Sequence, residues 1–169
     1  IDSAHDICAS VNRVLEAMNR PPVSVDDIKE LVAFGARTLT EKTLEMTGQP
    51  GSEEEVTFLL NGFLDSYRRN PSEHTEIYPG AREALDRFTA AGTPLGICTN
   101  KPEATCFPVL EALDLRRYFA SVICGDTMEY QKPDPRHIFY TLDDMGAAHE
   151  NAIFIGDSEA DIKAAKSAG

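Results

Sequence analysis

The strongest constraint on the fold is a change of rhythm near residue 78. Before it, apolar residues recur at three- and four-residue spacing; after it, short apolar runs alternate with segments of helical spacing. The runs are Pro94-Leu95-Gly96-Ile97-Cys98, Ser121-Val122-Ile123-Cys124 and Ala152-Ile153-Phe154-Ile155-Gly156. Each reads as a short buried strand. Helical patterns over about Glu103 to Leu113 and Pro135 to Met145 separate them. Strands joined through helices run parallel, so residues 76–169 are expected to form an α/β unit around a parallel sheet.

Residues 1–75 read as helix after helix. Ser3 is placed to cap a helix carrying Ile7, Val11, Val14, Leu15 and Met18, which Arg20-Pro21-Pro22 stops. Ser24 with Asp27 opens a short second helix, a third follows Gly35, and Ser52 with Glu55 makes a capping box ahead of Val56, Leu59, Leu60, Phe63 and Leu64. The junction Asn70-Pro71-Ser72-Glu73-His74 is polar, as a hinge between two lobes requires.

Charge narrows the partners. The chain has 16 Lys and Arg against 28 Asp and Glu, a formal net charge of −12 that repels nucleic-acid phosphates and acidic membrane surfaces. No apolar run approaches the roughly 20 residues that span a bilayer, and Ile1 to Arg20 does not resemble a signal peptide. A cytoplasmic location is expected. Cys8, Cys98, Cys106 and Cys124 are far apart, as are His5, His74, His137 and His149, so these residues read as free thiols and as surface or packing histidines, not as a zinc site.

Parallel sheets bind ligands beyond the carboxyl ends of their strands, so the residues that follow each apolar run carry the information. The first run ends in Thr99-Asn100, the loop after the second carries Lys132, and the third ends in Gly156-Asp157-Ser158-Glu159-Ala160-Asp161. Asp157 and Asp161 offer oxygen ligands only, which suits Mg²⁺ held by one or two carboxylates and a substrate phosphate. Lys132 and the Thr99 hydroxyl would hold the remaining phosphate oxygens. Singly, Asp157 and Thr99 have ordinary uses as helix caps and Lys132 as a solvated charge. Together, and in this order, they point to a site.

The stretches Ile97-Cys98-Thr99-Asn100-Lys101-Pro102, Gln131-Lys132-Pro133-Asp134-Pro135 and Ile155-Gly156-Asp157-Ser158-Glu159-Ala160-Asp161 resemble the second, third and fourth motifs of the haloacid dehalogenase superfamily. The resemblance implies a Rossmann-like parallel-sheet core with an α-helical cap, here residues 76–169 and 1–75. Asn12 with Arg20-Pro21-Pro22, and Gly35-Ala36-Arg37-Thr38-Leu39, resemble segments of the phosphoglycolate phosphatase cap. It implies that Thr99, with Asn100 beside it, binds the transferring phosphoryl group, that Lys132 neutralises charge, and that Asp157 binds Mg²⁺ with Asp161 in support. Arg37 is the candidate cap residue facing the substrate.

The family's first motif, D-x-D-G-T, which holds the nucleophilic Asp, does not occur in these residues and is expected ahead of Ile1. The family's last strand is expected beyond Gly169. The resemblance puts the first strand between residues 95–99 and 152–156, so leaving it out opens a gap of roughly 10 Å in the sheet. The expected activity is a Mg²⁺-dependent phosphatase for a small phosphate ester, foremost 2-phosphoglycolate, acting through an aspartyl phosphate as a monomer or homodimer. A mutase of the β-phosphoglucomutase type and a catalytically silent fragment are the alternatives.

Overall fold

The computed structural model describes residues 1–169. The chain divides into two compact units, Ile1–Tyr78 and Pro79–Gly169, three residues beyond the division expected from sequence.

The first unit is helical: α1 (Ala4–Ala17), α2 (Val25–Leu31), α3 (Ala36–Met46) and α4 (Glu53–Arg69). α1 packs on α4 through Val11, Leu15 and Leu59, none of which keeps any exposure. Both expected capping boxes form: Ser24 with Asp27 opens α2 and Ser52 with Glu55 opens α4. Ser3 occupies the cap position of α1 without a side-chain bond; Asp2 Oδ1 accepts the Ala4 N–H instead, at 3.2 Å. The expected Ser3 cap is thus replaced by the carboxylate one residue earlier, a stronger acceptor.

Polar side chains hold the turns. Asn12 donates to the Val23 carbonyl and accepts the Val23 N–H, both at 2.9 Å, which fixes the chain just after Pro21-Pro22. Arg20 donates to the Leu44 carbonyl at 2.8 Å and pairs with Glu55 at 3.0 Å. Buried Asp6 accepts the His74 N–H at 2.9 Å and the Thr75 hydroxyl at 2.6 Å, beside an antiparallel bridge between Asp2 and Glu76.

The second unit contains α5 (Ala81–Ala90), β1 (Gly96–Cys98), α6 (Glu103–Ala112), β2 (Ser121–Ile123), α7 (Arg136–Asp144) and α8 (Glu159–Ala168). It is an α/β unit in which β1 and β2 pair in parallel, Ile97 opposite Val122. Ala120 N–H to Leu95 carbonyl (2.8 Å) and Thr99 N–H to Ile123 carbonyl (3.0 Å) extend the ladder at both ends. α7 packs on both strands, with Ile138 and Thr141 buried. All four cysteines are free thiols.

The expected third strand does not form. Residues 152–156 carry no ladder bonds, because β1 pairs only with β2 and its other edge is open. Ile153 and Ile155 are 89% and 82% exposed, while Phe154 between them is half-buried. α5 likewise buries none of its residues, and Phe88 stands 44% exposed. No helix is long and apolar enough to cross a membrane.

The helical unit is held chiefly by apolar contact at the α1–α4 seam. Leu59→Ala removes a fully buried side chain there and should lower unfolding free energy by about 2–5 kcal/mol, read from urea titrations followed by far-ultraviolet circular dichroism.

Candidate functional site

Lys132 organises the carboxyl end of β1. Its ammonium donates to the Cys98 carbonyl at 2.6 Å and to Asp161 Oδ1 at 2.7 Å. The two side chains are only 10% and 9% exposed, so each charge depends on the other for the solvation it has lost. The Phe154 ring lies 5.6 Å from the ammonium, so the one inward-facing residue of the extended 152–156 segment covers the lysine.

The main chain of Lys132 is held as firmly. Asn100 Nδ2 donates to its carbonyl at 2.8 Å, and Asn100 Oδ1 accepts its N–H at 3.0 Å. The same N–H lies 3.3 Å from His137 Nδ1, and His137 Nε2 lies 3.2 Å from the Cys124 carbonyl. The loop after β2 can come this close to Asn100 only without a side chain, since a Cβ on Gly125 would stand 2.4 Å from the Asn100 carbonyl oxygen. The Lys132-Pro133 bond is cis.

Asp161 sits in the first turn of α8. Its Oδ2 accepts the Ser158 N–H at 3.0 Å and the Ser158 hydroxyl at 2.6 Å, closing a capping box that leaves Oδ1 for Lys132. Gly156 leaves room for this carboxylate: a Cβ there would meet Asp161 Cγ at 2.5 Å. Burial opposes the charged form of Asp161, but hydrogen bonds from Lys132 and Ser158 outweigh it and hold the carboxyl below its usual range. Burial, with Lys132 nearby, pushes His137 below the usual imidazole range, against the opposing pull of the Cys124 carbonyl and Asp134.

Of the residues singled out from sequence, Asn100, Lys132 and Asp161 are in direct contact. Thr99 follows the carbonyl that Lys132 grips; its Oγ1 accepts the Lys101 N–H at 3.1 Å, leaving its own O–H proton to donate. Asp157 is exposed and its carboxylate is uncommitted. Ser158 caps α8, so Asp157 does not. Arg37 lies in the helical unit, where Glu41 (3.0 Å) and Glu53 (2.8 Å) hold its guanidinium.

His137, expected from sequence as a surface or packing histidine, is buried in the first turn of α7, five residues after Lys132, and binds the main chain of that lysine. Asp6, Glu73 and His74 bring ligand atoms within 4.8 Å of one another. Asp6 is spent on the His74 N–H and Thr75, and Glu73 on Arg13, so that cluster ties the helical unit together.

The sequence profile described as haloacid dehalogenase-like hydrolase matches residues 1–169. The chain belongs to this family. Among curated members of the haloacid dehalogenase-like hydrolases, it is 38% identical over 168 residues to a phosphoglycolate phosphatase of Agrobacterium fabrum, covering 99% of this chain and 72% of the relative. It is 35% identical to phosphoglycolate phosphatase 1 of Pseudomonas aeruginosa, covering 100% of this chain and 62% of the relative. A crystal structure described as a predicted phosphoglycolate phosphatase from Haemophilus somnus superposes with a TM-score of 0.92 at 27% identity, over 99% of this chain and 76% of that one. The chain thus spans between about three fifths and three quarters of the length of these family members.

Asp161→Asn leaves Lys132 buried without its counter-charge and should cost roughly 3–5 kcal/mol at pH 7. Because the folded-state pKa of Asp161 is depressed, the stability it contributes is complete above the unfolded carboxyl value of about 3.9 and fades as pH falls through the folded value. The gap between variant and parent should therefore narrow near pH 3, as denaturant titrations at pH 7 and pH 3 would show.

Proposed function

We propose that the protein carrying this chain is a Mg²⁺-dependent phosphatase for a small phosphorylated metabolite, foremost 2-phosphoglycolate, working through an aspartyl phosphate. The observation that carries this reading is the strand end: a buried ammonium clamped by Cys98 and Asp161, a hydroxyl on the residue after Cys98, and, one residue before the Ser158 that caps the Asp161 helix, an exposed carboxylate with no partner. The phosphoglycolate phosphatase names of its relatives supply the substrate.

The donor set fits a hard cation, since one free carboxylate and a substrate phosphate are the usual holders of Mg²⁺. Asp157 would hold the ion, with Asp161 in support, and the bound ion would supply Lewis-acid neutralisation of a phosphate oxygen. Lys132 offsets charge on the phosphoryl group, and the Thr99 O–H donates to another of its oxygens. Asn100 acts by fixing the lysine. In the helical unit, Glu41 and Glu53 hold the Arg37 guanidinium, which would have to exchange one of them for a substrate anion.

The attacking aspartate belongs to a part of the polypeptide outside the residues described. The open edge of β1 and exposed Ile153 and Ile155 leave a place for a further strand. Buried there, these groups would gain ladder hydrogen bonds and apolar contact. We propose that this strand carries the nucleophile.

Asp157→Asn in the full polypeptide should lower Mg²⁺-dependent phosphate release from 2-phosphoglycolate on the order of 10³-fold, by analogy with loss of one charge-stabilising group. Unchanged turnover would overturn the assignment. Product analysis decides the reaction: inorganic phosphate marks a phosphatase, an isomerised sugar phosphate a mutase.

A further inference from the structure

His137 touches no group assigned to the reaction except through Lys132, yet it keeps no exposure at all. A buried imidazole must satisfy two nitrogens of opposite character. Here each nitrogen meets one main-chain group: Nδ1 lies 3.3 Å from the Lys132 amide nitrogen, and Nε2 lies 3.2 Å from the Cys124 carbonyl oxygen. A carbonyl only accepts and an amide N–H only donates. One state satisfies both, the neutral ring with its proton on Nε2 and a bare Nδ1. A charged ring would set an N–H against the Lys132 N–H and place a second cation beside the lysine.

The two contacts join parts of the chain that the strands alone do not. Cys124 directly follows β2, Lys132 closes the loop, and residues 125–131 lie between them. Asn100 grips Lys132 from the end of β1, through both its carbonyl and its N–H. His137 grips the same N–H from α7 and ties it to the end of β2. With both grips the lysine backbone is referenced to both strands. With the Asn100 grip alone, the loop could pivot about the end of β1 and carry the ammonium away from Cys98 and Asp161. The charged groups acting on the ring are Lys132 and Asp134, both from this loop; from the strand side it meets the Cys124 carbonyl.

We propose that His137 is a positioning residue for Lys132: as the neutral Nε2–H tautomer, it ties the end of β2 to the loop that delivers the lysine to the strand end. Its consequence for turnover rests on the phosphatase reading above, whereas the tie itself does not. A Gln at this position carries an N–H donor and an oxygen acceptor on one carboxamide carbon and can preserve both bonds. A Leu of similar bulk keeps neither.

The test uses the full polypeptide with ¹⁵N-labelled histidine, together with His137→Gln and His137→Leu. Long-range ¹H–¹⁵N spectra at pH 7 should show His137 neutral, protonated at Nε2 and bare at Nδ1. Amide exchange at Lys132 should be slow in the parent and in His137→Gln, and faster by about tenfold or more in His137→Leu, the worth of one buried hydrogen bond. Phosphate release should follow the same order, the Leu variant losing kcat more than KM and the Gln variant recovering it. A ring that is charged or protonated at Nδ1 at pH 7 overturns the proposal, and so does unaltered Lys132 exchange in the Leu variant. The tautomer is read on the parent protein, so it decides even if the Leu variant fails to fold. Slow exchange and the expected tautomer in a protein that releases no phosphate would support the tie and count against the phosphatase reading alone.

Discussion

The second unit is arranged around one buried ion pair. An ammonium that is 10% exposed cannot stay charged without compensation, and the Cys98 carbonyl and Asp161 provide it at 2.6 and 2.7 Å. Each feature nearby serves that pairing. The capping box of α8 turns Asp161 so that one oxygen binds Ser158 and the other faces the lysine. Gly156 and Gly125 clear the space, and Asn100 holds the backbone from which the lysine extends. Removing any of these leaves a charge in a place that water reaches poorly.

The pair also sets a local positive charge against the acidity of the chain. A net charge of −12 gives an overall field that opposes a phosphate ester. The ammonium at the strand end is held by a single carboxylate; the Thr99 hydroxyl follows the Cys98 carbonyl it grips, and uncommitted Asp157 precedes Ser158, which caps the helix carrying Asp161. Positive potential is thus built at one point, and a cation on Asp157 would add to it. Asp161, with both oxygens engaged, anchors Lys132.

Features that depend on a few adjacent residues were legible in the sequence. The boxes at Ser24-Asp27 and Ser52-Glu55 involve residues three apart, so spacing alone reveals them. The two strands and the helices around them follow from apolar period, and Thr99, Lys132 and Asp161 follow from their places after the apolar runs. Where two residues compete for one role, local pattern misleads: Asp2 caps α1 in place of Ser3. The run 152–156 has the composition of a strand but lacks a paired neighbour, because a ladder is a property of two segments and composition describes only one.

What the sequence determined by itself is therefore the order of helices and apolar runs, the acidity, and the kinds of polar group at the strand ends, since these depend on residue type and on neighbours within a turn or two. Only the tertiary structure decided that Asn100 spends its carboxamide on the Lys132 backbone, that His137 bridges Cys124 to Lys132, and that Asp161 is paired while Asp157 stands free. Those contacts join residues 5 to 32 positions apart. Hydrogen bonds and ion pairs act over about 3 Å, so which groups they join is set by how the chain brings distant segments together.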